Sequence, residues 1–433
     1  MSAFLGRIDR RQLPVAVLVV LGVLMRVAWN TLRPTSGAAG EAMRVAAAIG
    51  SGHGFADAYR IGQGPTAHLM PVSPSIAGLV YMVFGVGSRI AEILLASWSI
   101  SLAIGTYLLL YRAFGRLGTP RWARLAGLAF GCLAPAYLNC EAVDFRVWEG
   151  GLATFLLALF FDRLLAAESA AVVSGRMILA MAGLTGLLFF VNPPLGIAAY
   201  LCAGIFCLRK LPLARTMQAI GASLVVLAIL IVPWTLRNMK ELGAPIVLRS
   251  NAGLELALAQ YPGAVNPPSR REAFLARLDQ IHPTLSLDAY HRMQAAGGEV
   301  PYAKALGAEA KAWMKAHPGE SVRLMLLHLR QSLVPQRWQF DVFGRALSPT
   351  LRAVLTDIAG LGGLVSLFWA LLARRRNWWY PAVIVASWAL LTAPFQPVTR
   401  YTYLIYPLMV FCAADLLGRL RRAHDRSERT MQA

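Results

Sequence analysis

Carboxylates and guanidinium groups gather in this chain where long apolar runs end. Glu41 and Arg44 stand about one helical turn apart, and His53, Asp57, Arg60 and His68 follow in the same polar stretch. Glu141, Asp144, Arg146 and Glu149 form a second group, Arg237 and Lys240 a third, and Arg400 precedes the last apolar run. An i, i+3 pair projects from one helix face, so Glu41 and Arg44 can address one ligand. Arginine offers phosphate a planar fork of donors, and a carboxylate beside it can take a proton from a hydroxyl. The combination suits a reaction at an anionic lipid headgroup. Taken singly, each charge is well explained as a solvated or snorkelling side chain at a bilayer surface. Several segments supplying both signs make the set harder to explain that way. Asp57 rivals Glu41 as a base, while Phe55 and Tyr59 beside it argue equally for a loop-packing role.

The elements that must hold these residues are membrane helices. Of 433 residues, 57% are hydrophobic and 15% charged, whereas soluble domains carry about 25% charged residues. Apolar runs lie near 13–32, 88–111, 123–138, 149–167, 177–192, 194–208, 216–234, 353–373, 379–395 and 402–418. They reach or approach the roughly 20 residues that cross a bilayer core. The fold class predicted is an all-α polytopic membrane protein with about ten transmembrane helices. Asn192-Pro193-Pro194 splits one apolar stretch into two helices, because a proline pair cannot continue a helix. The run 71–86 reads as a helix lying in or dipping into the membrane.

Basic residues set the orientation. Arg7, Arg10 and Arg11, the loops around Arg112–Arg124, Arg163–Arg176, Arg209–Arg215 and Arg374–Arg376, and the tail Arg419–Arg429 all fall on one side of the alternating path. The opposite short loops hold only Arg33, Arg44, Arg60, Arg146 and Arg400. This predicts cytoplasmic termini and places the chemistry-bearing residues on the outer, periplasmic face of a bacterial inner membrane. The net charge of +20 is met by anionic inner-leaflet lipids and calls for no nucleic acid. The first run is long and interrupted by Arg26, so it reads as an uncleaved signal anchor despite the small residues 36–40. Cys132, Cys140, Cys202, Cys207 and Cys412 lie in or beside apolar runs without a CxxC pair, and read as buried hydrophobes. No compact His/Asp ligand set stands out, so no metal ligand is assigned and dependence on a divalent metal stays open. The chain divides into a transmembrane module, 1–234, carrying a first outer loop at 33–75; an outer segment, 235–352; and closing helices with a basic tail, 353–433. In the outer segment, Arg271–Ile281 and Tyr302–His317 have helical patterns, and Leu324–Val334 is apolar enough to rest on a membrane surface.

The stretch Glu41-Ala-Met-Arg44 with Gly52-His-Gly-Phe55, then Gly64-Pro-Thr-Ala-His-Leu-Met-Pro71-Val-Ser-Pro74, resembles the first outer loop of GT-C glycosyltransferases. The nearest branch is the protein O-mannosyltransferase-like and aminoarabinose-transferase-like enzymes. Further similar pieces follow in order: Trp148-Glu149, Asn192-Pro-Pro194, Val232-Pro-Trp-Thr-Leu-Arg-Asn238, Arg249-Ser-Asn-Ala-Gly-Leu-Glu-Leu256 and Arg400-Tyr-Thr-Tyr-Leu-Ile-Tyr-Pro407. The resemblance implies inverting transfer of a sugar, hexose or pentose, from a polyprenyl-phosphate donor to an acceptor lipid, glycan or protein. It implies Glu41 as catalytic base, where the family more often has Asp, and Arg44 near the donor phosphate. Glu149 matches a second acidic position. Where aminoarabinose transferases carry Lys before a Pro pair, this chain reads His68-Leu-Met-Pro, so His68, Arg237 or Arg400 would supply charge to the donor phosphate. Arg60 belongs to the same outer surface. Asn251 and Glu255 are candidates for sugar hydroxyls, with loop capping as the plainer role.

Two other classes compete. A lipid or sugar transporter or flippase would want polar groups near the middle of its spans, and the span centres here are almost wholly apolar. A non-catalytic GT-C-like subunit of cell-envelope assembly would keep the same fold and is harder to separate by sequence.

Overall fold

The computed structural model describes residues 12–32, 40–342 and 347–432. The expectations for Arg7, Arg10, Arg11, Arg33 and residues 36–39 lie outside the described residues, as do the side chains of Arg426 and Arg429.

The described chain is helical, with an isolated two-residue bridge between Ala56 and Pro65. Helices α1 (Leu13–Leu32), α2 (Glu41–Gly50), α3 (Val72–Phe84), α4 (Arg89–Arg116) and α5 (Arg121–Leu133) come first. A short α6 (Leu138–Ala142) leads to α7 (Gly150–Ser169), α8 (Gly175–Val191), α9 (Pro193–Lys210) and α10 (Leu213–Leu242). The segment 235–352, read above as outer and called so below, holds α11 (Ala252–Ala259), α12 (Arg270–Ile281), α13 (Leu287–Ala295), α14 (Glu299–Ala316) and α15 (Pro318–Leu333). The chain closes with α16 (Pro349–Leu372), α17 (Trp379–Thr392), α18 (Thr399–Thr402) and α19 (Tyr406–Gln432).

Every apolar run read as a span contains a helix. Five of these, α1, α4, α7, α10 and α16, are long and apolar enough to cross a membrane. Among the others, α5 has 13 residues, α8 has 17 and α17 has 14. The run 123–138 does not stay one helix: it stops at Leu133, and Pro135 opens a 3-10 turn. The split at Asn192 forms as expected. Its side chain accepts from the Leu195 amide and caps α9, whose first residues are the two prolines. Helix α10 runs through Pro233 to Leu242, so residue 234 lies inside it.

Buried charge locks the transmembrane bundle near its Glu141 end. Arg26 is fully buried and lies 2.5 Å from Glu141. Tyr107 and Tyr403 donate to the other Glu141 oxygen at 2.7 and 2.9 Å, and Arg26 also donates to the Gly22, Gly131 and Cys132 carbonyls. Removing one partner of such a pair strands a buried charge and costs about 3–5 kcal/mol. Arg146 pairs with Glu92 at 2.5 Å and donates to Asn30. Two members of the second charged group, Glu141 and Arg146, are therefore spent on helix packing.

The outer segment has its own apolar core of Leu254, Phe274, Leu278, Met293, Tyr302 and Leu306, and Tyr59 of the first outer loop packs into it. Glu299 fastens the two. It accepts from the Thr66 hydroxyl at 2.6 Å, the Ala67 amide at 2.7 Å and the Ser250 hydroxyl at 2.8 Å.

Candidate active site

Helix α2 begins at Glu41, where the free amides of a first turn favour a carboxylate. Its far end runs into a glycine-rich loop that must double back. Gly62 and Gly64 take φ of 83° and 87°, and Asp57 itself sits at φ 66°. Asp57 Oδ1 accepts from the Gly64 amide at 2.9 Å, so this carboxylate clips the loop on itself. Arg237, reaching from α10, donates to the Phe55 and Thr66 carbonyls at 2.5 and 2.7 Å and braces the same loop from behind. The returning stretch delivers His68 to Glu41, with Nε2 3.8 Å from Oε1.

A third residue arrives from the outer segment. The helix α12 ends at Ile281 because His282 precedes Pro283 and is extended, as residues before proline must be. Ser286 then caps α13. The short turn between them carries His282 Nε2 to 3.5 Å from Glu41 Oε1, and the Thr284 hydroxyl donates to that oxygen at 3.1 Å. Arg44 donates to Thr284 Oγ1 at 3.2 Å and, through two nitrogens, to the Ala58 carbonyl at 2.9 and 2.7 Å. Thr284 thus bridges the base candidate and its arginine neighbour.

Both imidazoles are oriented from behind. Tyr59 Oη lies 2.9 Å from His68 Nδ1, and the Thr284 amide donates to His282 Nδ1 at 3.3 Å, leaving each Nε2 for Glu41. One donor atom from each of Glu41, His68 and His282 lies within 4.8 Å of the other two. Two imidazoles and a carboxylate are a zinc-type donor set, and His68 can turn its Nδ1 proton to the Tyr59 hydroxyl and offer Nε2. The Thr284 amide, donating to His282 Nδ1, keeps the His282 proton on Nε2, so His282 joins an ion only if that contact opens. The three residues belong to segments far apart in the chain, so no compact ligand set stands out in the sequence. A His-Pro-Thr turn between two helices was the only local signal of His282 and Thr284.

Arg400 completes the centre. Its Cζ stands 3.9 Å from the Trp148 ring centroid and 5.4 Å from that of Tyr401. Its Nε is buried without a hydrogen-bond partner. Burial works against its charge, but Tyr401, Glu41 and Glu255 outweigh burial and raise its pKa. For Glu41, burial alone would raise the carboxyl; His68, His282, Arg400 and Arg44 overcome it and hold the group below the usual carboxylate range. Burial also drives His68 below the usual imidazole range, reinforced by His282, Arg249 and Arg400 and opposed by Glu41.

The remaining candidates are placed around this centre. Glu149 is 4.0 Å from Arg249, and Asn251 donates to Glu255 at 3.3 Å. Arg60 lies over the Tyr290 ring at 5.3 Å. The structure therefore brings Glu41, Arg44, His68 and Arg400 together and adds His282, Thr284 and Tyr59. It gives Asp57 and Arg237 to holding the loop.

No family model and no curated protein matches the chain. Its fold is similar to that of the oligosaccharyltransferase AglB of Archaeoglobus fulgidus, solved with an inhibitory peptide and a dolichol-phosphate. The identity is 13%, the TM-score 0.51, and the match covers 95% of this chain and 51% of that one. The same archaeal enzyme solved with Zn and sulfate matches at 13% identity and TM-score 0.52, over 94% of this chain and 50% of that one. ArnT of Cupriavidus metallidurans bound to undecaprenyl phosphate aligns at 16% identity and TM-score 0.38, over 94% and 78%. The chain spans about half the length of the archaeal enzyme. What the chain shares with the archaeal oligosaccharyltransferase is the fold of its membrane helices.

Proposed function

We propose that this chain is an integral-membrane inverting glycosyltransferase, moving a sugar from a polyprenyl-phosphate donor to an acceptor hydroxyl on the outer face of the bacterial inner membrane. One observation carries the reading. A buried carboxylate, Glu41, has Arg44 one turn away and lies within the field of Arg400, which keeps a buried N–H without a partner. The archaeal enzyme of like fold holds dolichol-phosphate in one structure and sulfate in another, which supports an anionic lipid-phosphate donor for this chain.

Glu41 takes the proton from the acceptor hydroxyl as its oxygen bonds to the anomeric carbon from the face opposite the phosphate. The carbon–oxygen bond to phosphate breaks, and its electron pair leaves with the phosphate. A polyprenyl phosphate departs as a stable anion, so no general acid is required. The residues supply alignment and fixed positive charge, with Arg400 and Arg44 for the departing phosphate. A donor phosphate near Arg400 and Arg44 offsets their charge, which raises the basicity of the carboxylate when the donor is bound. A divalent cation held by Glu41, His68 and His282 would add charge for the phosphate, leaving the second Glu41 oxygen for the proton.

The test is the lipid pool of a deletion strain, read by mass spectrometry. The expected result is accumulation of one polyprenyl-phosphate sugar together with loss of its transfer product. An unchanged pool of such lipids overturns the reading.

A further inference from the structure

At the pole of the bundle away from the Glu41 centre, α4 and α16 end beside the middle of α19. The basic loops assign this pole to the cytoplasm. After α16 the chain winds tightly, with Arg374 at φ 47° and Asn377 at φ 63°. Arg375 is thereby turned inward while Arg374 and Arg376 stay exposed. Arg375 reaches the Asp415 carboxylate with two nitrogens, at 2.6 and 3.4 Å. Arg419, one turn further along α19, donates its Nε to the same carboxylate at 2.7 Å, and the Thr119 hydroxyl donates at 2.7 Å. Arg375 and Trp378 also donate to the Leu117 carbonyl at the end of α4, at 3.1 and 3.4 Å.

Charge does not balance in this network. One buried carboxylate faces two guanidinium groups, and Arg419 keeps a buried Nη2 without a partner. Asp415 has no oxygen to spare for it: Oδ1 receives Thr119 and Arg375, and Oδ2 receives Arg375 and Arg419. Asp162 and Glu168, at the same pole, are held by Arg112 and Arg116 and by Lys210 and Tyr380. A buried donor on a charged group is costly to leave unmatched, which favours an added anion at Arg419. The Arg419 side chain keeps 14% of its surface exposed, enough for an approach to its fork. Its Cζ stands 5.2 Å from the Trp378 ring centroid and 6.0 Å from that of Trp369. Trp369 is exposed, as are Phe368 and Leu372 beside it, so an apolar face of α16 runs up to the arginines.

We propose that Arg419 and Trp369 form a binding site for the headgroup phosphate of an anionic phospholipid, drawn in by Arg374 and Arg376, with its acyl chains along the Phe368–Leu372 face. A guanidinium fork matches phosphate oxygens, and a tryptophan at the end of an apolar helix face suits the headgroup level of a bilayer. Free phosphate shares the headgroup chemistry but would use the arginines alone. A lipid uses the arginines and the exposed apolar face together. The site stands apart from Glu41 and is independent of the transferase reading.

The test reads binding and stability, with no turnover. The full chain in detergent is titrated with phosphatidylglycerol or phosphatidylcholine, retained lipid is counted by native mass spectrometry, and Tm is followed in parallel. Wild type should retain phosphatidylglycerol and gain Tm from it, since a ligand of the folded state stabilises that state. Phosphatidylcholine should do neither. Arg419→Lys can still pair with Asp415 but has no fork, and should bind phosphatidylglycerol roughly tenfold more weakly. Arg374→Gln/Arg376→Gln lies outside the Asp415 network, so its Tm without lipid should match wild type while its retention falls about tenfold. Arg163→Gln, which removes an exposed arginine of α7, should bind as wild type does. Equal retention of the two lipids, or wild-type retention by both site variants, overturns the proposal. So does an equal loss in Arg163→Gln, which would reduce the effect to general surface charge. Inorganic phosphate that raised Tm as far as phosphatidylglycerol would overturn the lipid assignment.

Discussion

His282 Nε2 lies 3.5 Å from Glu41 Oε1, although most of the transmembrane bundle intervenes between them in sequence. The contact ties the outer segment to the first residue of α2. It predicts that His282→Ala lowers turnover while the helices stay folded, by about 10–100-fold if the trio holds an ion. Zinc titration of the purified protein by calorimetry checks this, with a His68→Ala/His282→Ala variant expected to lose the site. Equal zinc binding by wild type and the double variant would reduce the trio to an ordinary hydrogen-bonded cluster.

Arg400 and Arg44 are expected to fail in different ways. Arg400 carries an unpartnered buried Nε and rests on Trp148, so Arg400→Ala should raise the donor KM and lower kcat by about 100-fold or more. Arg44 holds the Ala58 carbonyl and Thr284, so Arg44→Ala should also loosen the first outer loop. Lysine at position 400 should rescue partly, because it lacks the planar fork. Steady-state kinetics against donor concentration decide, and wild-type values for both alanine variants would make them surface charges.

Glu299 is the fastening between the first outer loop and the outer segment. Its buried carboxylate accepts from Thr66, Ala67 and Ser250. Glu299→Ala leaves those donors without their acceptor and should cost about 1–3 kcal/mol for each left buried. Thermal unfolding in detergent should show a lower Tm, and limited proteolysis should open the chain within residues 51–71 first.

Orientation has its own check. Reporter fusions near residues 118, 212 and 375 should report the cytoplasm, and those near 60 and 290 the outer side. The motive is the crowding of basic residues on one set of short loops. A cytoplasmic signal at 290 would move the whole Glu41 centre to the wrong face for an externally delivered acceptor.

The helices were readable in the sequence because apolar length is a local property: the break at Asn192 and the patterns at Arg271–Ile281 and Tyr302–His317 all fall within a residue or three of the helices formed. Glu41, Arg44, His68 and Arg400 were readable because charge beside an apolar run is conspicuous. His282 and Thr284 were not, since their role depends on a turn packing against α2 from a distant segment. Glu141 and Arg146 sat in an equally conspicuous group, yet Arg26 and Glu92 claim them inside the bundle. Sequence marks where charge is costly, and only the packing shows which charges are already matched.

The proposed mechanism turns on Glu41 as the base. Its carboxyl is buried, receives a hydrogen bond from Thr284, and faces two imidazoles and Arg400. Gln keeps the shape and can still accept from Thr284, so Glu41→Gln protein should insert, fold and bind donor lipid. Without a proton acceptor its turnover should fall by roughly two to four orders of magnitude. Asp should retain part of the activity, limited by shorter reach to the hydroxyl. The pH dependence supplies an independent check. Glu41 is held below the usual carboxylate range in the folded free enzyme, so it stays ionised above that range, and its contribution is lost only as pH falls through the lowered value. The acid limb of kcat/KM should therefore lie below the ordinary glutamate value of about 4.3. A limb centred near the imidazole value of about 6.5 would make a histidine the base. Near-normal turnover of Glu41→Gln in nanodiscs would move the role to another carboxylate, with Glu149 the first to test, since Asp57 is engaged in closing its own loop.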